Sequence, residues 1–371
     1  MYNARMSGPD EAARYHRLQL WLALAGFALG IAYLVVLLTT GAVAALADAV
    51  AAQTSAWWAR VALVAAGLTV AQAVLAFPLR WVRGFWLPRR YGLLHQPFGA
   101  WLGDRAKAAA LGAVLGLGAV LVVYGLIRAT PWWWLIAAGV FFVVGIALAA
   151  LFPVVVVPLF YRLTRLADPE LEGRLLRLAE RTGVAAIGVW VVDQSRKSRT
   201  ANAAVVGLGR TRRIILFDTL ATGFRPDEVE AVLAHELAHH VHGDVRRGLV
   251  VQGALTVVTF WLAARLLDWG VHLWGLAGPA DPAGLPWLAL VFTLLGAVQL
   301  PLSNAFSRRL ERQADDFALR LTRDPAAFIG AMERLGELNL AERRPHRLKE
   351  FLLYSHPALD RRIARARGEA A

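Results

Sequence analysis

The sequence predicts a mainly α-helical integral membrane protein with about six membrane-spanning helices and a polar α+β segment. Hydrophobic residues make up 57% of the 371 residues, and the mean hydropathy is +0.48. Soluble domains contain roughly 45–50% apolar residues. The apolar residues are concentrated in long uninterrupted stretches. After residue 160, a polar stretch contains short runs of β-branched residues, which predict a small sheet.

Six apolar stretches are long enough to cross a hydrocarbon core, which takes about 20 helical residues. The first stretch follows Arg17 and has no small-residue cleavage pattern, so we expect it to be retained rather than removed as a signal peptide. The predicted spans are residues 18–46, 57–79, 107–128, 132–160, 249–274 and 286–305.

The distribution of basic residues predicts the orientation in the membrane. Lysine and arginine accumulate between the second and third spans, whereas the short connections after the first, third and fifth spans carry almost none. In multi-pass membrane proteins, the loops on the cytoplasmic side carry an excess of lysine and arginine. We therefore expect a multi-pass protein of the cell membrane with both termini and the polar segment on the cytoplasmic side. The basic residues between the second and third spans are Arg80, Arg83, Arg89, Arg90, Arg105 and Lys107.

Charge and cysteine content exclude several classes of function. The net charge is +13, but no motif for binding RNA or DNA accompanies it, so we expect the lipid bilayer and no nucleic acid as a partner. The chain has no cysteine, which excludes disulfides, a cysteine nucleophile and cysteine ligands to a metal. Any metal must be held by histidine and carboxylate.

The polar segment is predicted to alternate helix and strand. Helical spacing covers residues 171–181, strand-like runs cover 187–192, 203–206 and 213–217, and a new helix starts around Pro226. The Gly207-Leu208-Gly209 stretch predicts a hairpin connection. These patterns divide the chain into a transmembrane domain (1–160) and a second domain (161–371) that includes the last two spans.

The helix after Pro226 contains the sequence His-Glu-Leu-Ala-His, an HExxH pattern at residues 235–239. His235 and His239 are one turn apart on one helical face, so both rings can reach one ion. Glu236 lies beside them and can take a proton from the attacking water. The alternative is a surface helix with two paired histidines. His240 and His242 do not both face an ion held this way, and we interpret them as interfacial polar residues.

A third ligand is predicted where the sixth span leaves the membrane. If the helix continues, Glu311 and Asp315 lie on one face. Glu311 is then the third ligand, and Asp315 accepts a hydrogen bond from a ligating ring. The alternative is a solvated helix face that balances Arg308, Arg309 and Arg312. Three protein ligands leave a coordination position open, which is typical of catalytic zinc, so we expect one Zn²⁺ per chain.

These patterns, taken together, resemble the M48 zinc metallopeptidases, and among them the Ste24-like CAAX prenyl protease branch. The resemblance runs through nearly the whole chain in the same order. It rests on residues 235–239, 311–315, Ser355-His356-Pro357 with Arg362, Leu87-Pro88-Arg89-Arg90-Tyr91-Gly92-Leu93, Gln96-Pro97-Phe98 and Trp101-Leu102-Gly103-Asp104.

The resemblance implies a fold and a set of catalytic residues. The spans would enclose a chamber roofed by a zincin-like α+β peptidase domain. His235, His239 and Glu311 would bind the zinc ion, and Glu236 would be the catalytic glutamate. Asp315 would be an accessory proton donor or would orient a ligand.

The resemblance also implies which residues hold the substrate. Asn202 and His356 would bind the substrate backbone or stabilise the oxyanion, and Arg362 belongs to the same substrate-binding set. Spacing alone does not predict these roles, and a histidine before Pro357 is otherwise typical of a helix start.

The predicted activity is hydrolysis of peptide bonds in membrane-associated or C-terminally lipidated, CAAX-like proteins or peptides. The composition is typical of a bacterial chain, in which a prenylated substrate is not expected, and six spans differ from the seven of eukaryotic relatives. One alternative is an HtpX-like protease that degrades damaged membrane proteins. A non-enzymatic membrane scaffold with a structural zinc is another. A transporter is disfavoured because no pair of broken spans is duplicated.

Overall fold

The computed structural model describes residues 9–207 and 212–368. It confirms the predicted fold class, a mostly helical membrane protein with a small sheet. Two π-helical turns, Val82–Trp86 and Phe152–Val156, extend two of the spans. The helices before the polar segment are α1 (Pro9–Thr39), α2 (Ala42–Ala51), α3 (Trp57–Trp81), α4 (Leu87–Arg90), α5 (Phe98–Ala129), α6 (Trp133–Leu151) and α7 (Val157–Phe160).

The second half of the chain combines the sheet with further helices. Its strands are β1 (Leu163–Arg165), β2 (Val189–Val192), β3 (Ala203–Val206) and β4 (Arg213–Phe217). Its helices are α8 (Pro169–Arg181), α9 (Asp218–Gly223), α10 (Pro226–Val241), α11 (Asp244–Trp274), α12 (Leu285–Thr322), α13 (Pro325–Leu338), α14 (Arg347–Leu353) and α15 (Leu359–Ala366).

Six helical segments in the described residues are long and apolar enough to cross a membrane. The predicted end of the first span at residue 46 is wrong, because α1 ends at Thr39. Gly41 then adopts a positive φ of 71°, and the remaining apolar residues form α2, whose 10 residues are too short to cross. The third span also begins earlier than predicted, at Phe98.

The sheet has the strand order β1-β2-β4-β3. Strands β3 and β4 have the predicted bounds, and they pair antiparallel, whereas β2 and β4 are parallel. Strand β2 begins at Val189, later than predicted, and β1 was not predicted at all. Leu208 and Gly209 of the predicted hairpin turn lie outside the described residues. In this order β3 is an edge strand, which leaves one side of its backbone open for pairing.

Helix α10 is held in the centre of the second domain. Its Leu233 and Leu237 are fully buried in a core that also contains Leu175 of α8, Leu216 of β4 and Phe328 of α13. Burial of such side chains contributes about 1.5–3 kcal/mol each. The helix therefore presents its remaining face in a fixed orientation to α12.

Helix α12 is continuous from the membrane half into the second domain. Trp287 and Val291 at its start belong to the core shared with the other spans, whereas Ala314 and Ala318 near its end are buried, Ala318 in the core that contains Leu233 and Leu237. Since an α-helix rises 1.5 Å per residue, its 38 residues extend about 57 Å, well beyond a hydrocarbon core of about 30 Å. Residues 306–322 thus extend the sixth span out of the membrane.

The start of α1 lies on the same side of the spans as the second domain. Ala12 and Tyr15 pack with Leu340, and a ring nitrogen of His16 is 2.8 Å from the Leu340 carbonyl oxygen. Both ends of the described chain are therefore on one face, as an even number of spans requires.

Candidate metal centre

Three side chains from two helices converge where α12 leaves the membrane. The Nε2 atom of His235 is 3.2 Å from Oε2 of Glu311, and Nε2 of His239 is 3.7 Å from Oε1 of the same carboxylate. The two imidazole rings are 5.1 Å apart and nearly perpendicular. One potential ligand atom from each residue lies within 4.8 Å of the others. The geometry brings the three sequence-predicted ligands together.

The other ring nitrogens are held by carboxylates. Nδ1 of His235 lies 2.9 Å from Asp315, and Nδ1 of His239 lies 2.9 Å from Asp244. A neutral ring that donates from Nδ1 presents a lone pair on Nε2. Both Nε2 lone pairs then face Glu311, whose buried Oε2 accepts no hydrogen bond in good geometry. Lone pairs that face one another in this way require a cation between them, so the residues fit a metal ion.

Asp244 is a functional residue that the sequence analysis missed. It is the first residue of α11, and its side chain is only 5% exposed. The sequence pattern that could have identified it is an aspartate that directly follows a glycine and stands five residues after the second histidine. Gly243 has a φ of 67°, and this left-handed turn folds the start of α11 back toward His239.

Asp315 is held from behind by Arg362. The guanidinium donates two hydrogen bonds to the carboxylate, at 2.9 and 2.6 Å, and its Nη2 lies 3.4 Å from Nδ1 of His235. The Arg362 side chain is 12% exposed and that of Asp315 is 2% exposed. Arg362 was predicted to bind substrate, but the structure places it behind the metal ligands and not on the wall of the large cavity described next.

Glu236 lies between the ligands and a large cavity. The cavity has a volume of about 1470 Å³ and is bordered by Glu236 and His239. Its opposite walls are apolar residues of the spans, including Leu111 and Leu115 of α5 and Ile146 of α6. One continuous space thus connects the candidate metal centre with the interior of the membrane half.

The protonation of the site follows from burial and charge. Burial raises the pKa of Glu236 above its ordinary range, and the neighbouring His235 and His239 lower it in part. Burial alone lowers the pKa of His235, but the neighbouring carboxylates of Asp315 and Glu311 outweigh that effect and raise its pKa to about 9. In the metal-free chain a proton therefore occupies the position of the cation.

The predicted substrate-binding residues have different surroundings. Asn202 is exposed and lines the large cavity directly before β3. The Nε2 atom of His356 lies 3.4 Å from Glu311, and its side chain is 56% exposed. His240 lies 3.1 Å from the Val205 carbonyl oxygen on the open side of β3. Asn202 thus lies at the cavity, and His356 lies beside the predicted metal ligands.

A histidine pair and a carboxylate at the mouth of a cavity between membrane spans define a membrane-embedded metallopeptidase. The chain belongs to peptidase family M48. Residues 165–370 match the model described as Peptidase family M48. Residues 9–162 match the model described as CAAX prenyl protease N-terminal, five membrane helices. In this region the described part of the chain has four candidate spans and the shorter apolar α2.

Curated relatives and a solved structure agree with this assignment. The chain is 30% identical to the uncharacterized metalloprotease YhfN of Bacillus subtilis, over 81% of this chain and 72% of that protein. It is 29% identical to CAAX prenyl protease 1 of Saccharomyces cerevisiae, over 80% and 69% of the two chains. The crystal structure of S. mikatae Ste24p superposes with a TM-score of 0.86 at 23% identity, over 96% of this chain and 88% of that one, which shows that the fold is shared.

Proposed function

We propose that the chain is a zinc endopeptidase of the cell membrane, with its metal centre on the cytoplasmic side. The observation that carries the proposal is the position of His235, His239 and Glu311 at the mouth of a cavity that continues between the spans. Two imidazoles and one carboxylate form a ligand set used by catalytic zinc. The basic loop between the second and third spans supports the cytoplasmic orientation.

The mechanism assigns the proton transfers to Glu236. A zinc ion, when bound, would supply Lewis acidity toward the scissile carbonyl and the attacking water. Glu236 removes the proton from this water and returns it to the leaving amine. Its raised pKa suits this exchange, since a base closer to neutrality both accepts and releases the proton readily. Asp315 and Asp244 hold the two rings in the orientation that directs Nε2 toward Glu311.

The substrate backbone would lie along the edge strand. Phe217 donates to the Asn202 carbonyl, and the antiparallel alternation then points the polar groups of Ala203 and Val205 away from β4. An extended peptide can add there as a further strand. The side chain of His240 already contacts the Val205 carbonyl and would have to share or release it. His356, whose Nε2 atom lies 3.4 Å from Glu311 beside the metal ligands, would stabilise the oxyanion.

The cavity supports a substrate with a long apolar part. Most of its lining residues in α5 and α6 are aliphatic or small, and its volume of about 1470 Å³ exceeds that of a typical small-molecule site. Relatives of this chain carry the name CAAX prenyl protease. We therefore propose membrane-associated or C-terminally lipidated chains as substrates, and assign the apolar part to the region near Leu111, Leu115 and Ile146.

The test combines metal analysis with peptide cleavage. Glu236→Gln should keep one zinc per chain and lose about 10²–10⁴-fold in kcat, since it removes only the general base. The matched control is Glu230→Gln on the same helix, whose carboxylate pairs with Arg174. Comparing farnesylated and unmodified peptides of one sequence then tests the substrate class.

The outcomes of this test separate the parts of the proposal. An active protein that binds no metal would exclude the metallopeptidase mechanism. Equal kcat/KM for the two peptides would exclude the lipid preference and leave the peptidase in place. Chains captured by Glu236→Gln in cells distinguish the two substrate classes, because a mixture of misfolded membrane proteins indicates a quality-control protease.

A further inference from the structure

A second cavity is lined by residues of α12, α14 and α15, none of which lines the large cavity. Its volume is about 540 Å³, within the range of small-molecule sites. Two carboxylates, Asp315 and Glu350, also line it. The cavity is dominated by six arginines: Arg308, Arg312, Arg347, Arg361, Arg362 and Arg365. We name this cavity the arginine pocket.

The arginines of this pocket are only partly neutralised. Arg362 pairs with Asp315, Arg361 with Glu350, and Arg365 with Asp316. Among the described residues, neither Arg312 nor Arg347 forms an ion pair with a carboxylate. Guanidinium groups that share one concave site repel one another. The pocket therefore has an excess of positive charge that an anion would relieve.

Arg308 of the pocket is hydrogen-bonded to the end of helix α14. Its guanidinium donates to the carbonyl oxygens of Glu350, Phe351 and Tyr354, at 3.0, 3.3 and 2.5 Å. These carbonyls lie at the end of α14, where a helix presents partial negative charge. Arg308 thus holds α14 against α12 and contributes its charge to the pocket.

The pocket lies at the level where the sixth span leaves the membrane. The Asn304 side chain, near the end of the predicted span 286–305, donates to the Leu352 carbonyl at 2.8 Å. Leu348, Phe351 and Leu353 of α14 are 59%, 50% and 43% exposed. A short helix with exposed apolar side chains beside a basic cavity matches the interface between acyl chains and headgroups.

We infer that the arginine pocket binds the phosphate of an anionic membrane lipid. Guanidinium groups bind phosphate oxygens through paired hydrogen bonds, and basic pockets beside spans bind anionic headgroups. The exposed side chains of α14 would contact the acyl chains of the same lipid. The pocket shares Asp315 and Arg362 with the back of the metal centre, but the inference rests on the charges of its arginines and does not depend on the proposed function.

The test measures lipid binding to the purified full-length chain in detergent. Native mass spectrometry gives the affinities for phosphatidylglycerol and phosphatidylcholine, with inorganic phosphate as a separate ligand. The double variant Arg312→Gln/Arg347→Gln removes the two unpaired charges. The control is Arg309→Gln on the same helix, since Arg309 is exposed and does not line the pocket.

We expect wild type and Arg309→Gln to bind phosphatidylglycerol more tightly than phosphatidylcholine. The double variant should bind phosphatidylglycerol about tenfold or more weakly, as the loss of charge-assisted hydrogen bonds predicts. If the double variant misfolds, the single variant Arg347→Gln replaces it. Arg347 lies on a surface helix, and its variant is expected to show part of the same loss. Unchanged phosphatidylglycerol binding in both variants would overturn the inference. Inorganic phosphate binding as tightly as the lipid would also overturn it, because the pocket would then be a site for free phosphate.

Discussion

The two histidines of the metal centre are oriented by carboxylates in different environments. On one side, His235 contacts Asp315, which is buried and held by the buried Arg362. On the other side, His239 contacts Asp244, whose ion-pair partner Arg247 is 51% exposed and 3.4 Å away. The His239 ring is itself 24% exposed, against 8% for His235. The first arrangement is part of the protein core, and the second lies at the cavity mouth.

The comparison shows how one geometry can have two energetic consequences. A buried ion pair is costly to break, because removal of one partner leaves the other charge buried without compensation. In the Asp244–Arg247 pair only Arg247 is exposed, and its charge stays solvated when the carboxylate is removed, so that loss costs less. Both carboxylates nevertheless lie on the extensions of spans, Asp315 on α12 and Asp244 at the start of α11. The metal centre is therefore connected to the spans on both sides, through the buried His235–Asp315 contact and the more exposed His239–Asp244 contact.

The largest effect is expected for Asp315→Asn. This change leaves Arg362 buried without its carboxylate, which should lower the free energy of unfolding by about 3–5 kcal/mol. Loss of the negative charge behind His235 should also weaken metal binding by about 10–100-fold, since a neutral amide makes the ring a poorer ligand than a carboxylate does. Thermal unfolding in detergent and a competition assay with a metal chelator measure the two effects.

The neighbouring Asp316 offers a matched control. It pairs with Arg365 on the surface, where both side chains are at least 30% exposed. Asp316→Asn should change the stability by less than about 1 kcal/mol and leave metal affinity unaltered. Similar losses in both variants would show that the buried pair has no special role.

An intermediate effect is expected from pH. Because the pKa of His235 in the metal-free chain is about 9, against an ordinary 6.5, a metal must displace a proton at neutral pH. Metal affinity should rise by about tenfold per pH unit toward pH 9 and then level off. In the metal-free chain the same shift stabilises the fold fully below pH 6.5, and this contribution is lost as the pH rises through 9.

Isothermal titration of zinc into the metal-free chain at several pH values measures this dependence. Asp315→Asn should move the rise in affinity to lower pH, because it removes the carboxylate charge that helps to hold the proton on His235. An affinity that is flat between pH 7 and 9 would show that His235 is already neutral there.

The smallest effect is expected for Asp244→Asn. The amide can still accept a hydrogen bond from His239, and Arg247 remains largely in solvent. We expect a loss of about tenfold or less in metal affinity and about 1 kcal/mol or less in the free energy of unfolding, part of it from the lost charge at the start of α11. The same two assays measure it. A loss larger than that of Asp315→Asn would reverse the comparison.

Much of the membrane architecture was predictable, because length and hydropathy are properties of contiguous residues. The count of six spans and the strands β3 and β4 follow from such local patterns. The boundary errors have local causes that periodicity does not reveal. The break after Thr39 depends on the backbone of Gly41, and β1 has only three residues, which gain order by pairing with β2.

The candidate site divides in the same way. The sequence alone determined that His235, Glu236 and His239 share one turn of helix, and that Glu311 and Asp315 share another, because helical geometry depends only on spacing. Only the tertiary structure decided that these two turns face each other, that Asp244 orients His239, that Arg362 lies behind Asp315, and that six arginines surround one pocket. Such contacts join groups distant in the chain, and the packing of α12 against α10, α14 and α15 sets their distances.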